Sequence, residues 1–197
     1  MTKYYKHGSL EHLDTQFTKW NIDITDQWNM RIQFVKDYLS IMEYLHYSPI
    51  GTRVMCDTND LQKTLSQFLI TDNFRLIVND LDALPEVVDN GTIKCGHREL
   101  FGDFVAPEQL WPYGEDSSFT DEEMPGYNEK TDIWKIPNVL LFLLGNSTQA
   151  SRLKMLLFND LFRWCKTYDA LQRPTIREVK LKFNKILQKF MSPRSDL

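Results

Sequence analysis

The sequence predicts a mainly helical domain with one small β-hairpin. Three observations lead there. Trp28, Ile32, Val35, Leu39, Met42 and Leu45 recur at steps of 4, 3, 4, 3 and 3, a helical stripe of about five turns. Ile176, Val179, Phe183, Ile186 and Phe190 form a second stripe, opened by Thr175 with Glu178 in capping-box spacing. Between them, two short apolar runs flank the polar turn Thr71-Asp72-Asn73 and read as a hairpin.

In chain order, Gly8-Ser9-Leu10 marks a turn into a short helix, and Asp26 is positioned to cap the long helix that follows. Ser48-Pro49 and Gly51 end that helix. Residues 53–56 are β-prone and run into the polar cluster Asp57-Thr58-Asn59-Asp60. The hairpin strands are expected at 68–70 and 74–78. Residues 80–127 show little period and are punctuated by glycine and proline, the pattern of a long functional loop. Helices resume near Asp132, near Ala150 and at Thr175.

Composition sets limits. The 197 residues are 42% hydrophobic and 25% charged, as in ordinary globular domains. The longest strongly apolar run, 139–144, falls far short of the ~20 residues of a membrane helix. Residues 1–14 hold no apolar signal core. A net charge of −4 does not point to nucleic acid or a membrane surface as partner. Residues 79–123 carry 12 acids against 2 bases, while Lys180, Lys182, Lys185 and Lys189 read as the wet face of the last helix. Cys56, Cys95 and Cys165 are widely spaced, so a zinc site is not expected, and an odd count leaves one thiol unpaired in a monomer. No two glycines lie closer than five residues, which excludes G-x-G-x-x-G; no glycine is followed by lysine, which excludes a Walker A loop, and neither H-E-x-x-H nor G-x-S-x-G occurs.

Carboxylates remain. Asp57 follows one β-prone run, and Asp80 and Asp82 follow another. Acids ending neighbouring strands can converge on a divalent cation, since magnesium prefers oxygen ligands. Asp and Asn after a strand also serve simply as turn formers.

The order of signals resembles the C-terminal lobe of a protein-kinase-like fold. Tyr44-Leu45-His46 resembles the end of the helix before the catalytic loop, and Met55-Cys56-Asp57 stands where kinases have H-R-D. Asp80-Leu81-Asp82 stands for D-F-G, Ala106-Pro107-Glu108 for A-P-E, Asp132-Ile133-Trp134 for the helix aspartate motif, and Arg173-Pro174-Thr175 precedes the last helix. The strings Asn79-Asp80-Leu81-Asp82-Ala83-Leu84-Pro85, Lys94-Cys95-Gly96-His97-Arg98-Glu99-Leu100 and Asp132-Ile133-Trp134-Lys135-Ile136-Pro137 are similar to the protein O-mannose kinase family in particular.

The resemblance implies one domain, residues 1–197, a kinase-like C-terminal lobe that starts at the hinge with the N-terminal lobe absent. It implies ATP and Mg2+ as cofactors, Asp57 as the catalytic base, and Gln67 and Asp80 as metal ligands, with Asn59, Gln67 and Asp80 binding the nucleotide complex. Gln67 takes the place of the usual asparagine after an insertion of about five residues, and Asn59 or Lys63 supplies a further polar contact. Asp82 replaces a glycine. Glu108 is expected to pair with Arg173, and Asp132 to brace the loop backbone. The family's acceptor is the 6-hydroxyl of mannose in an O-linked trisaccharide of N-acetylgalactosamine, N-acetylglucosamine and mannose on α-dystroglycan. Its members are type II membrane proteins facing the endoplasmic reticulum lumen. That address fits the sequons at Asn90 and Asn146 and would permit a disulfide among the three cysteines.

A monomer of poor activity by itself, with an apolar patch exposed near residues 6–10, is the expected state. The alternative reading is an inactive kinase-like lobe that binds a glycan or a protein. Trp111 and Tyr113 are candidates for stacking on a sugar ring, whereas Trp134, inside a helix, reads as core.

Overall fold

A computed structural model describes residues 4–56, 58–88, 91–96, 98–114 and 116–192. The described elements run α1 (Leu13–Trp20), α2 (Ile24–His46), α3 (Leu61–Ser66), β1 (Phe68–Ile70), β2 (Leu76–Val78), α4 (Lys130–Leu144), α5 (Thr148–Leu157), α6 (Arg163–Cys165) and α7 (Ile176–Met191). Short 3-10 turns cover Leu10–His12, Pro107–Gln109 and Ala170–Gln172, and a π turn, Phe158–Phe162, joins α5 to α6.

The α2 stripe is buried as its period predicts, and Tyr38 and Leu39 at its centre meet almost no solvent. It packs on α4, where Ile133, Ile136 and Leu140 are fully buried, and on α7 through Val179 and Phe183. Leu187, not Ile186, continues the buried face of α7, with Ile186 and Phe190 half-buried at its edge. Truncating Phe183 to alanine would cost about 3–5 kcal/mol.

Three local expectations shift. The cap of α2 is Asp23, whose carboxylate accepts the Thr25 and Asp26 N–H groups at 2.8 and 2.9 Å. Asp26 itself lies inside the first turn, where an acid suits the helix dipole. The second strand starts at Leu76 because Phe74 has φ 52°, in the left-handed region. That turn is closed by Phe74 N–H to Thr71 O at 2.9 Å and Thr71 N–H to Arg75 O at 2.8 Å. The Phe74 ring is captured by His7 and Trp20 at 4.7 and 5.1 Å, so tertiary contact outweighs a backbone conformation disfavoured for phenylalanine. Finally, α3 fills what reads in sequence as a loop insertion. Asp60 caps it by accepting the Lys63 N–H at 2.8 Å.

The long acidic segment is anchored rather than loose. Val54, Ile93, Cys95, Met124 and Tyr127 form a second apolar cluster, closed by a disulfide between Cys56 and Cys95. Residues 52–56 and 83–87 run side by side, joined by Val54 N–H to Pro85 O at 3.2 Å, Cys56 N–H to Ala83 O at 3.0 Å and Val87 N–H to Thr52 O at 2.9 Å. The β-prone run 53–56 is therefore paired by an isolated bridge, Arg53 with Glu86, not by a strand. The exposed apolar residues next to the hairpin are Tyr44 and Leu81, whereas at residues 6–10 His7 and Leu10 are buried.

Candidate active site

The site is built where α2 ends, residues 52–56 follow it and the open end of the hairpin lies. Asp132, in the first turn of α4, is 2% exposed. Its Oδ2 accepts the Met55 N–H at 3.1 Å and lies 3.2 Å from His46 Nε2. One carboxylate thus fixes both the end of α2 and the backbone two residues before Asp57. This is the bracing role expected for Asp132.

Asp57 lies outside the described residues. Its neighbours are held closely. The Thr58 N–H donates to Cys56 O at 2.8 Å, and the Thr58 hydroxyl donates to Met55 O at 2.7 Å. Cys56 is tied through its sulfur to Cys95. Behind Thr58, the Lys135 ammonium donates to the threonine hydroxyl at 2.6 Å. Lys135 is 3% exposed, and burial holds its pKa below the ordinary lysine value, with Asp132 and Glu108 opposing. Sequence reasoning missed this residue. Its only signal was a lysine on the apolar stretch that opens α4.

The hairpin brings Gln67 and Asp80 to the same end. Phe68 pairs with Val78, so Gln67 immediately precedes one strand and Asn79-Asp80 follow the other. The Asn79 N–H donates to Gln67 O at 2.8 Å, extending the ladder to that point. Gln67 is 4% exposed and Asp80 is half-buried. The metal pair expected from the sequence is thus adjacent in the fold. An amide oxygen and a carboxylate are hard oxygen donors that fit magnesium. Among the described residues no group of three or more His, Cys, Asp or Glu side chains converges. Asn59 lies on the bend before the α3 cap, and its side chain makes no hydrogen bond among the described residues. The hairpin itself is pinned to α2 by Asp37, which receives the Arg75 guanidinium at 2.6–3.0 Å and the Leu76 N–H at 3.0 Å. Sequence pattern carried no sign of that clamp.

The expected structural pair is present. Arg173 meets Glu108 with two parallel bonds of 2.6 and 2.7 Å. Its remaining donors go to the carbonyls of Thr167, Lys130 and Tyr168 at 2.7, 3.0 and 3.0 Å. The segment bearing Pro107–Gln109 is thereby fastened to the chain before α7. Trp111 packs edge-on to Tyr113 and Phe119 and donates to Ser117 O at 2.9 Å, so it serves the second core. Trp134 is only half-buried and lines a cavity, contrary to a pure core role. Of the sequons, Asn90 lies outside the described residues, and Asn146 is exposed just after α4. Among the described residues no helix is long and apolar enough to cross a membrane.

No family model matches the chain. Curated relatives do. A protein O-mannose kinase of Macaca fascicularis is 51% identical over 189 residues, 95% of this chain and 54% of the relative. That of Homo sapiens is 50% identical over 189 residues with the same coverage. That of Gallus gallus is 49% identical over 189 residues, 53% of its length. The resemblance to protein O-mannose kinases read from the motifs therefore extends along nearly the whole chain. The chain spans about half the length of the curated relatives it matches.

Proposed function

We propose that this chain is the half of an ATP-dependent glycan kinase that holds the base and the metal ligands. The observation that carries the reading is the bracing of the Met55 backbone, two residues before Asp57, by Asp132, and it is supported by a hairpin that places Gln67 before one strand and Asn79-Asp80 after its partner. The relatives' names support the same reaction class.

In this reading the fold is a protein-kinase-like C-terminal lobe, and phosphoryl transfer asks it chiefly for positioning and charge stabilisation. Asp57 accepts the proton of the attacking hydroxyl. Thr58, Lys135 and Asp132 hold the segment that carries it. Gln67 and Asp80 offer oxygens to magnesium, which when bound neutralises charge on the nucleotide phosphates. The 197 residues contain no glycine-rich phosphate loop, so the isolated chain is a poor catalyst. The acceptor is the 6-hydroxyl of O-linked mannose in the trisaccharide on α-dystroglycan, and the chain acts as a monomer. The proposed address is the endoplasmic reticulum lumen. The Cys56–Cys95 disulfide supports an oxidising compartment.

The test replaces the matched 189 residues of the Homo sapiens relative with this chain and follows transfer from ATP and magnesium to the trisaccharide. Transfer is expected, with a loss of at least ~1000-fold in Asp57→Asn and Asp80→Asn at unchanged melting temperature. A folded chimera that binds the trisaccharide without turnover would sink the kinase reading and leave a binding module.

A further inference from the structure

A cavity of about 580 Å³ lies on the side of α4 that carries Trp134 and Asn138. These residues are four apart, so they share one helix face. The other walls are Gly102, Asp103, Val105, Pro107 and Leu110 from the segment before and through the 3-10 turn, and Lys166 and Tyr168 beyond α6. The volume falls in the range of small-molecule sites, about 300–1,000 Å³.

Two charged side chains line it, Lys166 and Asp103. The Lys166 ammonium sits 4.3 Å from the Trp134 ring centroid and makes no ion pair or side-chain hydrogen bond among the described residues. Its surroundings offset it only in part, through the Asp103 charge at the rim. Arg173, 5.0 Å from the same ring, is committed to Glu108 and three carbonyls. Lys135 is committed to Thr58. The Cys165 thiol is buried and its pKa pushed up to about 12, so it stays neutral. Asp103 is exposed at the rim, beyond ion-pair reach, and it is its backbone carbonyl that receives the Trp134 indole N–H at 3.3 Å. Burial, then the Arg173 charge, lower the Lys166 pKa to about 8. An anion arriving there would reverse that penalty.

The rest of the cavity is apolar or uncommitted. Val105 is buried, Pro107 and Leu110 are half-buried, and the Tyr168 ring is 79% exposed at the mouth. The Asn138 amide makes no hydrogen bond among the described residues and can donate to an oxyanion.

We propose that this cavity binds a ring compound bearing one carboxylate or phosphate, with Lys166 and Asn138 on the anion and Val105, Trp134 and Tyr168 around the ring. The proposal does not depend on phosphoryl transfer. The probes are benzoate and phenyl phosphate, with inorganic phosphate and benzyl alcohol as the anion-only and ring-only arms. Titration is followed by the Trp134 indole N–H resonance, assigned with Trp134→Phe.

One ring anion is expected to bind with Kd about 1 mM, at least ~10-fold tighter than either partial arm. Which of the two wins decides between carboxylate and phosphate. Lys166→Met should weaken binding at least ~10-fold, Lys166→Arg should keep it within ~3-fold, and Tyr168→Ala should weaken it ~3-fold or more. Far-UV circular dichroism verifies that each variant is folded. Absence of an indole shift up to about 20 mM, or equal binding by folded Lys166→Met, would overturn the proposal. So would inorganic phosphate binding as well as phenyl phosphate, because the ring would then play no part.

Discussion

Replacing Arg173 with methionine tests how the 107–110 segment is held. The native guanidinium makes five hydrogen bonds, two to Glu108 and three to backbone carbonyls, and its side chain has no solvent exposure. Methionine roughly fills the space but donates nothing. Three carbonyls then lose a donor at about 1 kcal/mol each. Glu108 keeps 22% of its side-chain surface in water, so its carboxylate recovers part of its solvation, and its loss is about 1–2 kcal/mol. The sum, about 4–5 kcal/mol, matches the ~3–5 kcal/mol seen when one partner of a buried pair is removed. At this chain length it lowers the melting temperature by about 10–15 °C. Urea denaturation of the wild type, Arg173→Met, Glu108→Gln and the double variant measures both the cost and the coupling. A loss under about 1 kcal/mol, or a coupling indistinguishable from zero, would refute the idea that this pair anchors the segment.

Three further outcomes follow from the same structure. Reducing the Cys56–Cys95 bond reopens a sequence separation of 39, worth about 3–4 kcal/mol of chain entropy, so dithiothreitol should lower the urea midpoint. An unchanged midpoint would show that the cluster under the loop suffices without it. Thr131 is fully buried in α4 with a hydroxyl that has no partner among the described residues, so Thr131→Val should raise stability by about 1 kcal/mol, and a decrease would count against the packing described. Lys166 titrates near 8 when folded and at the ordinary lysine value, about 10.4, when unfolded. Between those values the unfolded state binds more protons, so this residue makes stability rise with pH across the window. Comparing Lys166→Met with wild type at pH 7 and 10 should show the variant's advantage shrinking as pH rises; an advantage that grows would reverse the assignment.

The legible parts of the fold share one property: their information lies within a few residues along the chain. The 3.6-residue period exposes α2 and α7, and Thr175 with Glu178 marks a helix start because the two bonds of a capping box join residues three apart. Glu108, Arg173 and Asp132 were legible by another route, since motif order in a resemblance stands in for contacts that spacing cannot show. Gln67 and Asp80 were legible because a hairpin turns sequence order into adjacency. The start of β2 and the cap of α2 were misplaced where competing local signals were close in strength. Phe74 has strand propensity, but its ring gains more in the aromatic cluster with His7 and Trp20 than its backbone loses.

What only the tertiary structure decided are the contacts between residues far apart with no periodic link. Cys56 and Cys95 pair with their Cα atoms 4.9 Å apart, the Cys56 N–H held by Ala83 O and the Cys95 N–H by the Tyr127 hydroxyl. Asp37 clamps Arg75, Lys135 stands behind Thr58, and Lys166 is left with an aromatic face and, among the described residues, no ion-pair partner, all through the packing of helices whose individual sequences do not encode their neighbours. The chain by itself determined which segments become helices and which residue types end the hairpin, because those are local free-energy choices. Whether a lysine is paired, buried or poised over a cavity depends on what the rest of the fold places within a few ångströms of its charge, since charge desolvation and pairing are set by the surroundings.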